Sequence, residues 1–384
     1  CPGHQSGRCP GHQRGAVDRP RFEHRLQHDV ATRGRARTCP QRRARRSSCS
    51  ARPASQATSP DAAPSPVETS AIAESIIPAD RKEAFDKNGE VDFAHSVPNI
   101  GRFRANVFAD RKGRGAVFRV IPTQILSAEK LGLSPFILNL CKLNKGLVLV
   151  TGPTGSGKST TLCAMIDYIN RTREEHIITI EDPIEFVHEN QKCLINQREV
   201  RTHTGSFKAA LRAALREDPD IVLVGELRDL ETVAIAIETA ETGHLVFGTL
   251  HTTTAASTID RVIDQFPADR QAQIRIMLSE SLRGVIAQTL CRKIGGGRIA
   301  ALEVLIATGA VSNLIREGKT FQIPSMMQVG KAVGMVSLNE ALLDLVAKKI
   351  VAPDEAYSKS VDKPNFESGL KRLGLSVTPP AGQA

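Results

Sequence analysis

The chain has 384 residues, of which 41% are hydrophobic and 4% aromatic, and it carries a formal net charge of +10. This length is enough for two or three domains with sizeable cores. Residues 1–52 contain thirteen arginines and three acidic residues, an excess that equals the net charge of the whole chain. The rest of the chain is therefore neutral overall, and we expect no nucleic-acid partner for its folded part.

The sequence also indicates the cellular compartment in which the protein works. No apolar run approaches the roughly 18–20 residues that a helix needs to cross a bilayer. The first residues lack the apolar core of a secretory signal. The eight cysteines include no Cys-x-x-Cys pair, so we expect free thiols in a reducing compartment. The composition predicts a soluble, cytoplasmic protein and leaves open whether it docks on a membrane complex.

Residues 1–65 are rich in arginine, proline and serine and show no apolar periodicity, which predicts a disordered arm. Cys-Pro-Gly-His-Gln occurs twice, at 1–5 and 9–13. The two cysteines and two histidines of these repeats have a spacing that admits a small zinc site. The arginines also admit a basic arm that binds nucleic acid. Neither alternative determines the predicted function.

The next elements predict a small α+β unit. Residues 69–88 have helical apolar spacing that is interrupted by Pro78. Residues 99–109 alternate between apolar and polar side chains, which predicts a half-buried strand. A polar turn and a second strand at 116–121 complete a hairpin.

A phosphate-binding loop follows. Residues 146–151 are a continuous apolar run that predicts a buried parallel strand, and 160–170 predict a helix. Between them, 152–159 read Gly-Pro-Thr-Gly-Ser-Gly-Lys-Ser, a P-loop in its required strand–turn–helix context. We expect Lys158 to reach the β- and γ-phosphates of a nucleotide and Ser159 to ligate Mg²⁺. The predicted nucleotide-binding residues are Thr154, Gly155, Ser156, Gly157, Lys158, Ser159 and Thr160.

Beyond the P-loop, predicted strands alternate with helices, which favours a RecA-like parallel sheet with right-handed crossovers. After residue 253 the pattern is mainly helical, with one further strand predicted at 298–306. The other predicted strands and helices lie at 177–180, 207–216, 221–224, 231–242 and 244–250.

Three predicted strands end in polar residues: 181–185 after the first, Glu226 after the second and His251 after the third. Ligands of a nucleotide in such a sheet come from the carboxyl ends of the strands. An ATPase needs a carboxylate near Mg²⁺, a group that orients the attacking water, and positive charge for the transition state. A single acidic residue at a strand end is usually only solvated, but three polar ends beside one P-loop indicate hydrolysis.

Four segments resemble the secretion-type hexameric ATPases, and most closely the branch that retracts type IV pili. The resemblance extends from roughly residue 66 to residue 370. The segments are the P-loop at 152–161, Ile-Thr-Ile-Glu-Asp-Pro-Ile-Glu-Phe-Val-His at 178–188, a variant Walker B segment at 215–229, and Thr-Gly-His-Leu-Val-Phe-Gly-Thr-Leu-His-Thr at 242–252.

The resemblance implies roles for single residues. Glu185 would be the catalytic base, Glu226 would act on Mg²⁺ and its water shell, and His251 would contact the γ-phosphate with support from His244. The family also uses arginines of its N-terminal domain at the γ-phosphate. Arg104 and Arg119 match these in sequence context, although each also suits a solvated strand residue.

The implied fold is α/β: a RecA-like P-loop ATPase core with a partial N-terminal PAS-like α+β domain and a C-terminal helical extension. The corresponding boundaries are 1–65 for the arm, 66–123 for the second half of the PAS-like domain, 124–306 for the ATPase domain and 307–384 for the helical region.

The implied function is ATP hydrolysis by a Mg²⁺-dependent homohexamer, which docks on an inner-membrane pilus platform protein and drives retraction. A pilus extension or type II secretion ATPase is an alternative. Those enzymes usually carry a four-cysteine zinc insert, whereas Cys291 stands alone here. A nucleotide-binding regulator that does not hydrolyse ATP is another alternative, but the presence of Lys158, Glu185 and Glu226 argues against it.

Residues 310–317 read Ala-Val-Ser-Asn-Leu-Ile-Arg-Glu, with Ser312 where the retraction branch usually has arginine. Val311, Leu314 and Ile315 predict an apolar helical face that packs on the ATPase core. The resemblance implies that this segment transmits the nucleotide state to pilus retraction.

Overall fold

The structure is a computed structural model that describes residues 65–98, 100–122 and 124–376. Positions 1–64 of the predicted arm, which include the alternative zinc site, lie outside the described residues. The chain divides into two compact units, Cys1–Thr123 and Gln124–Ala384. Among the described residues, no helix combines the length and the apolar character needed to cross a membrane.

The described part of the first unit combines an antiparallel sheet with helices. Ser65 begins the first helix with a capping box, in which Glu68 N donates to Ser65 Oγ at 3.3 Å and Ser65 N donates to Glu68 Oε2 at 2.8 Å. The sheet order is β1-β2-β3. The elements are α1 (Pro66–Ile76), a 3₁₀ turn (Ala79–Arg81), α2 (Lys82–Asn88), β1 (Glu90–Val97), β2 (Gly101–Asp110) and β3 (Gly113–Ile121).

The predicted hairpin is confirmed by β2 and β3, and the predicted apolar face of β2 is buried at Phe103, Ala105 and Val107. Strand β1 was not predicted from the sequence. Val91, Phe93 and Val97 are buried on one face, but Ala94 and His95 interrupt the alternation of apolar and polar residues in the sequence. Pairing with β2 along its whole length makes it a strand.

The second unit is built on a seven-stranded sheet in the order β10-β9-β4-β8-β7-β5-β6. All neighbouring strands are parallel except β9 and β10, which are antiparallel. The predicted RecA-like parallel core is therefore confirmed. The strands are β4 (Gly146–Thr151), β5 (His176–Glu181), β6 (Leu194–Glu199), β7 (Ile221–Val224), β8 (Leu245–Leu250), β9 (Leu282–Arg292) and β10 (Arg298–Ile306).

This sheet is buried on both faces. Leu147 and Leu149 of β4 belong to one hydrophobic cluster, and Val148 and Val150 belong to another. Helices cover both clusters, which is why the central strands read as continuous apolar runs. The helices of the whole unit are α3 (Pro135–Leu140), α4 (Lys158–Thr172), α5 (Phe207–Ala214), α6 (Leu230–Glu241), α7 (Ala255–Asp264), α8 (Ala268–Ser281), α9 (Gly309–Arg316), α10 (Ile323–Val329), α11 (Leu338–Ala347), α12 (Pro353–Lys359) and α13 (Lys363–Arg372). The last three belong to a third cluster, which includes Leu342 and Phe366.

Two strands of this sheet correct the sequence prediction. Residues of β9 were expected to be helical, because β9 follows α8 without a turn and is apolar on both faces. The backbone becomes extended at Leu282 (φ −63°, ψ 133°), where β9 pairs between β4 and β10. Strand β6 was missed because it is a polar edge strand in which Ile195 is the buried apolar residue.

The predicted apolar face of residues 310–317 is confirmed in α9. Val311 and Ile315 are fully buried in the main cluster, and Leu314 packs against that cluster while half-buried. Asn313 and Arg316 are exposed and bond to each other at 2.8 Å.

Candidate nucleotide-binding and hydrolysis site

The P-loop joins the carboxyl end of β4 to the first turn of α4. Gly157 precedes the helix in the left-handed region (φ 92°), and a Cβ there would lie 2.7 Å from the side chain of Gln288. Only glycine suits both constraints. The loop therefore brings its backbone N–H groups to the positive end of the α4 dipole, as phosphate binding requires.

A buried polar atom in the same loop fits an anionic ligand. The Ser156 side chain is 3% exposed, and its Oγ has no hydrogen-bond partner among the described residues. Buried hydroxyl groups are seldom left unpaired in folded proteins. Among the other predicted binding residues, Thr154, Gly155 and Ser159 are exposed and Thr160 is half-buried.

Gln288 anchors the P-loop from β9. Its Nε2 donates to Ser156 O at 2.7 Å, and its Oε1 accepts from Thr161 Oγ1 at 2.7 Å. Its side chain is buried, and its backbone carbonyl packs against Gly152. Gln288 was not predicted from the sequence, because β9 was expected to be helical. The available signal was a lone amide inside an apolar run, since a buried amide needs partners.

The P-loop lysine is connected to two of the predicted strand ends. Lys158 Nζ donates to Gly152 O at 2.7 Å and lies 3.4 Å from His251 Nδ1 at the end of β8. On the other side of the ring, His251 Nε2 lies 2.9 Å from Glu226 Oε1 at the end of β7. Arg228 Nε contacts the same carboxylate oxygen at 2.7 Å. Three separately predicted residues thus form one chain of contacts.

The charged groups in this series of contacts shift the pKa values of one another. Burial would raise the pKa of Glu226, but the hydrogen bond and charge of Arg228, together with His251, outweigh burial and lower that pKa below its ordinary value. Burial lowers the pKa of Lys158, and the charge of Glu226 opposes this effect. Glu226 is therefore an ionised carboxylate at neutral pH.

His244 does not belong to this group. It precedes β8, whereas His251 follows β8, so about six residues and roughly 20 Å of strand separate the two histidines. His244 Nδ1 lies 3.2 Å from Thr239 O, at the amino end of β8. The support that the resemblance implied for His251 is not borne out by this geometry.

A second group of predicted residues lines a cavity of about 40 Å³ beside α4, with walls that include Ser159, Glu181 and Glu185. Such a volume holds ordered water. Glu181 accepts from Thr179 Oγ1 at 2.7 Å, from Gln197 Nε2 at 3.2 Å and from the Glu185 amide at 3.4 Å. Burial nevertheless raises the pKa of Glu181 above its ordinary value. Glu181 is thus occupied as a structural acceptor.

Cys163 and His188 complete one wall of this cavity, with Sγ and Nε2 3.4 Å apart. Burial raises the pKa of the Cys163 thiol. Burial also lowers the pKa of His188 to about 4, although the charge of Asp167 opposes the shift. Both groups are therefore neutral at neutral pH, and neither adds charge to the site.

Arg104 and Arg119 lie in the first unit, where they are register partners on the neighbouring strands β2 and β3. Arg104 is half-buried and Arg119 is exposed. Their assignment as residues that reach the γ-phosphate stays a prediction.

A P-loop after an internal strand of a parallel sheet, with carboxylates at the ends of two other strands of that sheet, defines a P-loop nucleoside triphosphatase. The family model described as "Type II/IV secretion system protein" matches residues 87–336. The chain belongs to this family of ATP-hydrolysing motors.

Known relatives agree with the predicted resemblance. The chain is 57% identical over 286 residues to the type IV pilus retractation ATPase PilT of Pseudomonas aeruginosa, covering 74% of this chain and 83% of the relative. It is 53% identical over 287 residues to a twitching motility protein of Neisseria gonorrhoeae, covering 74% and 77% of the two chains. The crystal structure of the pilus retraction motor PilT with bound ADP superposes with a TM-score of 0.73 at 51% identity, covering 78% of this chain and 85% of that one.

Proposed function

We propose that this chain powers the retraction of type IV pili by hydrolysing ATP with Mg²⁺ as a homohexamer. The observation that carries the enzymatic part is the chain of contacts from Lys158 through His251 to Glu226. It joins the phosphate-binding lysine to two strand ends that can respond to the γ-phosphate. The similarity to retraction ATPases over most of the chain supports the biological role.

The residues present fit ATP and Mg²⁺. The glycine-rich turn suits the phosphates, as does the Ser156 hydroxyl, which has no hydrogen-bond partner in the described part of the chain. Lys158 supplies positive charge beside them. Ser159 and Glu226 would hold Mg²⁺ directly or through its water shell, and the ion would neutralise charge on the β- and γ-phosphates. Hydroxyl and carboxylate oxygens are the ligands that Mg²⁺ prefers.

Glu185 is the residue we assign as catalytic base, because it shares the cavity with Ser159 and because Glu181 is held by three donors. Arg104 and Arg119 would supply positive charge at the γ-phosphate. The hexamer would work in the cytoplasm, at the inner membrane, where it would contact the pilus platform protein.

The proposal is tested by complementing a retraction-deficient strain with this chain and measuring twitching, alongside phosphate release by the purified protein with Mg²⁺. Lys158→Ala should abolish nucleotide binding or turnover and should not restore twitching, because the β- and γ-phosphate charge is left uncompensated. The exposed Lys145→Ala serves as the control. Restored twitching by Lys158→Ala, or a purified hexamer of the unaltered chain without ATPase activity, would contradict the proposal.

A further inference from the structure

The peptide groups next to Glu185 are held by side chains of neighbouring strands. The Glu185 amide donates to Glu181 Oε2 at 3.4 Å, and the Ile184 amide donates to Glu199 Oε2 at 3.1 Å. Glu181 ends β5, and Glu199 ends β6. The backbone that leads into Glu185 is therefore fixed by two carboxylates of the sheet.

Gln197 of β6 fixes the backbone on the other side of Glu185. Its Nε2 donates to Phe186 O at 2.8 Å and to Glu181 Oε1 at 3.2 Å. Its Oε1 accepts from His188 N at 2.8 Å. A primary amide can donate and accept at once, whereas a carboxylate cannot donate and an apolar side chain can do neither. All three bonds therefore require glutamine at this position.

The register of β5 and β6 explains this arrangement. Thr179 lies opposite Gln197, and Glu181 lies opposite Glu199, in a parallel pair. Residues two apart on a strand share one face of the sheet. The four polar side chains therefore form two adjacent pairs on one face of the sheet, next to the loop that carries Glu185.

We propose that Gln197 is a positioning residue for hydrolysis, which holds the loop after β5 so that the Glu185 carboxylate faces the attacking water. This inference rests on the proposed role of Glu185 as the base. Displacing a reacting group by about 1 Å can lower a rate by about 10²-fold. The anchors of the P-loop described above come from β4, α4 and β9, so Gln197 acts on kcat and leaves nucleotide affinity unchanged.

The test compares Gln197→Leu with Asn196→Leu, its exposed neighbour on the same strand. We expect Gln197→Leu to lower kcat by about 10- to 100-fold, with the dissociation constant of a fluorescent ADP analogue changed by less than about twofold. Asn196→Leu should leave both values unchanged. If the leucine variant does not fold, Gln197→Glu replaces it in the test. This variant keeps the length of the side chain but loses both donated bonds, so it should also lower kcat.

Combining Gln197→Leu with Glu185→Gln separates the inference from the proposed base. If Gln197 acts through Glu185, the double variant is no slower than Glu185→Gln alone. A normal kcat in folded Gln197→Leu, or a further loss in the double variant equal to the loss in the single variant, would overturn the inference. Normal turnover by Glu185→Gln alone would refute the base assignment, whatever the result at Gln197.

Discussion

Glu181 lines the same cavity as Glu185, and three hydrogen bonds hold its carboxylate in place. Glu181 is buried at the end of β5 and accepts three hydrogen bonds, and burial raises its pKa. Its oxygens are directed to Thr179, Gln197 and a backbone amide. A carboxylate held in this way organises the loop, which leaves the neighbouring Glu185 as the group that we assign to the attacking water.

Glu185→Gln should retain nucleotide binding and lose hydrolysis by at least about 10²-fold, because an amide of the same size cannot accept the proton. Single-turnover phosphate release and ADP binding measure the two quantities. Glu181→Gln is the matched comparison. If Glu181→Gln rather than Glu185→Gln removes hydrolysis while both variants keep their fold, the roles of the two residues are exchanged.

The contact between Arg228 and Glu226 leads to a pH-dependent prediction. Burial raises the pKa of Glu226 and Arg228 lowers it, with the lowering dominant in the intact protein. Arg228→Ala removes the hydrogen bond and the charge that oppose burial most strongly, so the pKa of Glu226 rises. The acid limb of the kcat/KM profile should therefore move to higher pH, with little change at alkaline pH. Arg228→Lys should keep most of the original profile, and an unmoved acid limb in the alanine variant would argue against Glu226 as the titrating group.

At the level of elements, β6 and β9 each supply a glutamine that fixes a loop of the site. Gln288 of β9 holds the P-loop, and Gln197 of β6 holds the loop after β5. Both strands lie in the sheet beside the strand whose loop they hold. The flanks of the sheet therefore set the geometry of the loops between β4 and α4 and after β5.

Helix α9 is the element to which the resemblance assigns coupling between hydrolysis and retraction. Leu314→Ala should cost about 2 kcal/mol, the lower end of the range for leucine truncation, because Leu314 is only half-buried. The variant should keep most of its ATPase activity and lower twitching, since none of the contacts described for the nucleotide site involves Leu314. Arg316→Ala, on the exposed face of the same helix, is the milder variant. Restoring arginine at Ser312 should be neutral or should strengthen retraction. If a folded, hexameric Leu314→Ala protein loses hydrolysis and twitching together, α9 belongs to the catalytic cycle.

At the scale of the whole molecule, the excess positive charge is confined to residues 1–52. The capping box that starts α1 is formed by Ser65 and Glu68. Deleting residues 1–60 should therefore leave ATPase activity and hexamer formation unchanged or improved. Phosphate release, sedimentation and thermal melting of the truncated protein measure this. A large fall in melting temperature would show that the arm is part of a domain.

The two arginines of the first unit allow a test of how that unit contributes to hydrolysis. Arg104→Ala or Arg119→Ala should lower turnover with little effect on nucleotide affinity, because charge at the γ-phosphate develops mainly in the transition state. Equal losses in affinity and turnover would instead indicate binding of the ground state. The absence of any effect would make both arginines ordinary solvated strand residues.

The local sequence determined the central features of this protein. The run at 146–151, the glycines of the P-loop and the polar residues after 177–180, 221–224 and 244–250 are all contiguous signals, and parallel strands bring their carboxyl ends to one edge of a sheet. Lys158, Glu226 and His251 were predicted for this reason, and the structure joins them. The fold class and the family resemblance were predicted from the same segments.

Only the tertiary structure decided which further residues complete the site. Strand β9 is apolar on both faces and β6 is mostly polar, so neither has a period that distinguishes strand from helix or loop. Strand β9 pairs with β4, which is far away in the sequence. Strand β6 lies at the edge of the sheet, where it pairs with β5. Gln288 and Gln197 could not be assigned before those pairings were known, because the pairing of each strand decides which loop its amide side chain reaches.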